Sequence, residues 1–288
     1  MHLSIVTAIH PPPSPPTDIK RKKIGERSRL ATCSDVAWFG DTCLYAVNVV
    51  GDSLDEYNFD GHEIIHVRRT APLPQCRLPI NVAVSPDGKL LAATSSYGGL
   101  YVYDRGDLSV PKQIFSVGDR LSHGVRFYDS RFVLYTVVED PAFLVLCDLE
   151  TGEVFQKIRN VHAPSVPKGI SFSPAGDILA VVYSGNADQG DAPSFVVGYE
   201  MTPRIGRELW RNTFGLSCGE GVVFLDETHI AITDQDRDLI VIGDVKTSIG
   251  QVYTEGLSFP HGLALSPNGK FLTVANYGNN SLTCYVLT

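Results

Sequence analysis

The stretch SPDGKLLAATSS at Ser85–Ser96 returns as SPAGDILAVVYS at Ser173–Ser184 and as SPNGKFLTVANY at Ser266–Tyr277, so the chain is built from repeats. Each copy has an apolar run before it, a Ser-Pro-x-Gly turn, and a β-rich run after it. That is a tight antiparallel hairpin written in sequence. A third apolar run follows each hairpin.

Degenerate copies fill the gaps once the register is known. First strands begin at Asp35, Asn81, Gly124, Gly169, Gly221 and Gly262, which makes six units. Third strands align at Leu54 to Asn58, Leu100 to Asp104, Phe143 to Asp148, Phe195 to Tyr199, Leu239 to Asp244 and Leu282 to Val286. A fourth, more polar strand fits between units, at Glu63 to Arg68, Lys112 to Ser116, Glu153 to Ile158, Gly206 to Trp210 and Gly250 to Tyr253. Four strands per unit at a period of about 40–50 residues predicts an all-β fold, a six-bladed β-propeller, with seven blades the lesser alternative. The expected organisation is one propeller domain over residues 1–288, each blade carrying its own small core.

The sixth unit ends on its third strand and lacks a fourth. The N-terminal segment is expected to supply it, through Leu3 to Ile9 or through Ile19 to Ile24, so that the ring closes without an exposed edge. Between them the run PPPSPP at Pro11 to Pro16 reads as an extended spacer.

Composition bounds the partners. A formal charge of −8 gives no support for nucleic-acid binding, and the basic run Lys20 to Lys23 is too short to change that. There is no apolar run of membrane-spanning length and no leader pattern at the N-terminus, so the expected location is cytoplasmic, with no membrane partner. The six cysteines stand singly, without Cys-x-x-Cys spacing, and read as reduced thiols. Oligomeric state is not legible.

Radial symmetry says where function should sit, because equivalent positions on different blades converge on the central channel. Just before the first strands the blades carry Ser34, Ile80, His123, Lys168, Glu220 and His261. With charged residues at 19% of the chain, six positions would hold about one ionisable group by chance, and this ring holds four. A water-filled channel lined by polar groups is the bland account. The functional account is that two histidines, a carboxylate and a lysine suit proton transfer and the holding of an anion. The candidate catalytic residues are therefore His123, Glu220 and His261, with Lys168 binding substrate.

The loops after the second strands open on the same mouth and bring in Tyr183 and Asn276, which join Asn81 as candidate substrate contacts. Arg126 stands where the other blades hold Ala37, Ala83, Ser171, Val223 and Ala264, and reads either as a structural ion pair or as an anion clamp. No metal ligand or cofactor is assigned. A divalent metal held by the histidines and Glu220 is the alternative, and Lys168, a cation beside the ion, argues against it. An insertion from Gly185 to Pro193 reads as a flap over the same mouth.

The units SPNGKFLTVANYGNNSLTCYVL at Ser266–Leu287 and SPDGKLLAATSSYGGLYVYD at Ser85–Asp104 resemble those of the lactonase-type, or YVTN, propellers, a superfamily that includes 6-phosphogluconolactonase and the fungal muconate-lactonizing enzymes. The resemblance covers the hairpins and implies an axial site acting on small anionic lactones or their open acids. The expected function is then hydrolysis or formation of a lactone by acid–base catalysis. Lyase, isomerase or cyclase chemistry on a small carboxylate, and a non-catalytic binding platform, are the alternatives.

Overall fold

Each Ser-Pro-x-Gly turn is closed by its own serine. In the computed structural model, which describes residues 1–9, 33–118, 120–185 and 192–288, Ser85 Oγ accepts the Leu90 N–H at 2.9 Å, and Ser173 and Ser266 do the same for Ile178 and Phe271. The glycine N–H bonds back to the serine carbonyl at 2.8 Å in all three turns. Gly88 then takes φ of +71°, a conformation that glycine adopts without a Cβ penalty.

Six such hairpins are extended to six four-stranded antiparallel sheets, giving 24 strands and no helix among the described residues. The innermost strands are β2 (Cys33–Phe39), β6 (Pro79–Val84), β10 (Ser122–Phe127), β14 (Val166–Phe172), β18 (Gly219–Phe224) and β22 (Pro260–Leu265). Each packs against the next, and β22 packs against β2, so the ring is closed. This is the six-bladed propeller the repeat period predicts.

Closure comes from the first of the two candidate segments. The strand β1 (Leu3–Ile9) pairs antiparallel with β24 (Ser281–Leu287) from Leu3 opposite Leu287 to Ile9 opposite Leu282. His2 and Thr288 exchange backbone hydrogen bonds at 3.0 and 3.1 Å. The edge of the last sheet is thereby covered. Ile19 to Ile24, the proline run and the basic run all lie outside the described residues.

The cores are not those of individual blades. Tyr45, Val47 and Leu54 of the first blade pack with Val82, Leu91 and Tyr103 of the second, and five further clusters repeat this at the other blade junctions. The expectation of one core per blade is corrected accordingly. A blade's two faces are both apolar because each is half of a different junction, which is why its inner strands read as near-continuous apolar runs. The outer strands, such as β5 (Ile64–Arg69) and β13 (Glu153–Arg159), are largely exposed, and this accounts for their polar character. All six cysteines are free thiols, four of them buried. No helix among the described residues is long and apolar enough to cross a membrane.

Candidate functional site

In every blade the pairing of the first strand with the second breaks at one place. The register shifts between Cys33 and Val36, Pro79 and Val82, Ser122 and Val125, Pro167 and Ile170, Gly219 and Val222, and Pro260 and Leu263. Two residues there oppose one, which is a β-bulge repeated around the ring. The bulged pairs are Ser34-Asp35, Ile80-Asn81, His123-Gly124, Lys168-Gly169, Glu220-Gly221 and His261-Gly262. The ionisable ring of the sequence is thus a ring of bulge residues, released from the sheet ladder.

The glycines explain how closely those bulges meet. A Cβ on Gly124 would stand 2.3 Å from the Lys168 carbonyl oxygen, and one on Gly169 would stand 2.5 Å from that of Glu220. On Gly221 it would stand 2.7 Å from the carbonyl of His261. Neighbouring inner strands therefore approach to a distance that only a residue without a side chain permits. Thr136 and Thr233, opposite two of the bulges, donate their hydroxyls to the carbonyls of Lys168 and His261 on the following blades.

The four side chains come together as a result. Lys168 Nζ donates to Glu220 Oε1 at 2.8 Å. Glu220 Oε2 lies 3.4 Å from His123 Nε2 and 3.8 Å from His261 Nε2. The two imidazoles face each other with centroids 4.9 Å apart and planes 32° from parallel. Exposure of the four residues is 3 to 8%. Despite the short distances, Glu220 Oε2 and His123 Nδ1 have no hydrogen-bond partner, and both are buried.

Burial dominates the electrostatics. It drives the His123 imidazole well below the usual histidine range, and the neighbouring His261 and Lys168 add to the effect. His261 is lowered by burial as well, with the Glu220 carboxylate opposing. Both rings are accordingly neutral, each with a lone pair to offer, beside a carboxylate oxygen. One ligand atom from each of His123, Glu220 and His261 lies within 4.8 Å of the others. Cys218, which no sequence pattern pointed to, places Sγ 3.8 Å from Glu220 Oε1, and burial raises its thiol pKa so that it stays protonated.

The other candidates are placed elsewhere, with one exception. Asn81 belongs to the same bulge ring, and its side-chain oxygen is buried without a partner. Arg126 is a staple across the channel and not a free anion clamp. It donates to the carbonyls of Val125 at 2.7 Å and Leu263 at 3.0 Å, and Nη1 lies 3.7 Å from Asp35 Oδ2. Tyr183 is drawn into the junction of the third and fourth blades, where its ring meets His162 at 4.5 Å and its hydroxyl shares a 2.9 Å hydrogen bond with Tyr199. Asn276 is spent on the fold, its amide bonding to Gly256, Thr283 and Ser258. Neither side chain makes a hydrogen bond or ion pair to the four ring residues among the described residues. Of the insertion, residues 186–191 lie outside the described residues, and so does the flap expected there.

No family model matches the chain. It is 24% identical over 218 residues to "Hydrazine synthase subunit beta" of Kuenenia stuttgartiensis, an alignment covering 71% of this chain and 52% of that protein. The chain thus spans about half the length of the curated relative it matches. A solved chain of Kuenenia stuttgartiensis Hydrazine Synthase superposes with a TM-score of 0.70 over 96% of this chain and 99% of that one, at 14% identity, a likeness that shows the propeller fold. The expected lactone chemistry is overturned by these matches, since the similarity runs to a hydrazine synthase subunit and not to a lactonase. The hairpins that carry the lactonase-type resemblance close the turns and fill the blade junctions, which is scaffold work that unrelated propellers share.

Proposed function

We propose that the axial cluster is a divalent transition-metal site, with His123 and His261 binding through nitrogen and Glu220 through Oε2, in a propeller that serves as one subunit of a larger assembly. The observation that carries the metal reading is the convergence of three buried ligand atoms without hydrogen-bonding geometry between them. Metal–nitrogen and metal–oxygen bonds of about 2.0–2.2 Å in tetrahedral array imply ligand separations of about 3.4 Å. The two measured from Glu220 Oε2 are 3.4 and 3.8 Å. Two histidines and a carboxylate, with further positions left for exogenous ligands, are a donor set for zinc or ferrous iron.

A purely structural role explains the cluster less well. Burying two imidazoles and an unpartnered carboxylate oxygen is costly unless something satisfies them, and well-packed apolar residues would stabilise the ring as well or better. Lys168 repels a bound ion, but it hydrogen-bonds Oε1 at 2.8 Å and leaves Oε2 without a partner. A hydrogen bond to Oε1 orients the ligating carboxylate toward its metal. The assembly reading rests on the relative's name, which is that of a subunit.

Metal content tests the reading. Protein purified without chelator, or reconstituted with Fe²⁺, Zn²⁺ or Co²⁺, is expected to hold one ion per chain by inductively coupled plasma mass spectrometry. His123→Ala, His261→Ala and Glu220→Gln are expected to lose it while keeping the β-sheet circular dichroism of the parent. Wild-type protein that takes up none of the three ions would overturn the proposal. For the assembly, native mass spectrometry of the tagged chain from its own host is expected to give a complex with other chains in fixed stoichiometry, and a bare monomer counts against it.

A further inference from the structure

Resting on that metal reading, we infer that Thr233 is a positioning residue of the centre, whose single hydroxyl holds the Glu220 and His261 bulges in the register that lets both side chains reach one ion. The hydroxyl is bonded in both directions. Thr233 Oγ1 accepts the Gly221 N–H at 2.8 Å and donates to the His261 carbonyl at 2.6 Å. One bond fixes the residue after Glu220 and the other fixes His261 itself, across the junction of the fifth and sixth blades. Both bonds are buried, and Thr233 is fully so.

The bulges make such a link necessary. Between Gly219 and Val222, and between Pro260 and Leu263, the pairing of first with second strand is interrupted, so the ladder does not set where Glu220 and His261 stand. The two inner strands also belong to different sheets. Glu220 Oε2 and His261 Nε2 lie 3.8 Å apart, and a ligand set works only when it is held within about 0.5 Å of its productive geometry. A hydroxyl that is donor and acceptor at once carries the position of one bulge over to the other.

Packing does not call for that hydroxyl. Thr233 directly precedes Asp234, the partner of Gly219, and the equivalent residues on the other second strands are Val47, Thr94, Thr136, Val182 and Ala275. All six are buried. Valine and alanine thus fill the same place in three blades without an oxygen. Of the other two threonines, Thr94 accepts the Asn81 N–H and Thr136 donates to the Lys168 carbonyl. Thr233 is the one bonded to the bulges of two proposed ligands.

The test is Co²⁺ binding to the full chain, read by visible absorption and by competition with a chelator of known affinity. Thr233→Val is expected to keep the β-sheet circular dichroism and to lose roughly 10- to 100-fold in Co²⁺ affinity, the weight of a contact that orients metal ligands. Its visible band at saturation is expected to change as well. Thr233→Ser, which retains the hydroxyl, is expected to return the band and bring the affinity to within about threefold of wild type. Thr94→Val makes the same change at the same repeat position and is expected to leave the affinity within about threefold. If the valine variant fails to fold, Thr233→Ala takes its place, alanine being the residue found there in the sixth blade. Unchanged affinity and band in a folded Thr233→Val or Thr233→Ala variant overturns the inference and leaves the metal site standing. So does an equal loss in Thr94→Val, a serine variant that restores nothing, or the failure of both Thr233 variants to fold where Thr94→Val folds. Absence of a Co²⁺ spectrum in the wild type overturns the metal site and the inference together.

Discussion

The guanidinium of Arg126 on the third blade donates to the carbonyl of Leu263 on the sixth, 137 residues away in sequence and 3.0 Å away in space. The same group stands 3.7 Å from Asp35 of the first blade. One side chain therefore ties three blades together through the channel, and it supplies the countercharge to a carboxylate that is fully buried.

Replacing Arg126 by Met removes that countercharge and the guanidinium hydrogen bonds to the carbonyls of Val125 and Leu263. The expected loss is about 2–4 kcal/mol of unfolding free energy, in the range for breaking a buried pair from one side. Asp35→Asn added to Arg126→Met is expected to recover part of the loss, because the remaining group is then neutral. Denaturant midpoints check both, and equal stability of Arg126→Met and wild type would remove the staple from the account.

Gly124→Ala places a Cβ 2.3 Å from the Lys168 carbonyl oxygen. Backbone occupies that space, so two blades must separate, at an expected cost of about 3 kcal/mol or more. Gly269→Ala is the comparison. Its φ is +70° and nothing lies within 4 Å of the added carbon, so only the left-handed backbone penalty of about 1 kcal/mol applies. Urea unfolding of the two variants is expected to separate them clearly, and a milder effect for Gly124→Ala would contradict the packing of the bulge ring.

Deletion of residues 1–9 strips β1 from the last sheet and exposes the full edge of β24. With Leu3 buried against Leu263, Leu272 and Tyr285, the loss of apolar burial and ladder bonds is expected to reach about 3–5 kcal/mol. That corresponds to a drop in Tm of roughly 10 °C or more, or to aggregation through the open edge. A synthetic peptide covering residues 1–9 is expected to restore part of the Tm. Calorimetry of the truncated chain with and without peptide decides it.

His162 makes stability depend on pH. Burial and the adjacent Arg211 lower its pKa from the ordinary 6.5, with Glu208 opposing. As the pH falls through 6.5 the unfolded chain takes up the proton before the folded one, so the folded state is favoured fully above that value and progressively less below it. The Tm advantage of wild type over His162→Gln is expected to shrink between pH 7.5 and pH 5. An advantage that grows on acidification would mean that Glu208 outweighs burial and Arg211.

Much of this site is legible in the amino-acid sequence, and the reason is symmetry. His123, Lys168, Glu220 and His261 share one repeat position, and in a closed ring equal positions lie at equal radius. Each of the four is also followed by glycine, a second signal for the close approach of the strands. Asp35 and Cys218 escape such a reading, because a carboxylate at a glycine position and a lone cysteine carry no pattern of their own. Tyr183 and Asn276 point to the wrong place because a loop position does not say which way a side chain turns. A large aromatic ring goes to the nearest apolar junction, and an amide goes to the nearest open backbone groups.

The sequence alone determined the six units, the four strands in each, the closure by an N-terminal strand and the radius at which ionisable groups gather. All of these follow from local hydrogen-bonding ladders and hydrophobic alternation, which repeat along the chain. Tertiary structure decided the pairings within the ring: Lys168 on one oxygen of Glu220, two histidines near the other, and Arg126 bound to Asp35 and Leu263. Those pairings depend on how closely the bulged strands of different blades approach, which the glycines allow and the interblade cores enforce. Contacts of that kind join residues tens to more than a hundred positions apart, where no local periodicity reaches.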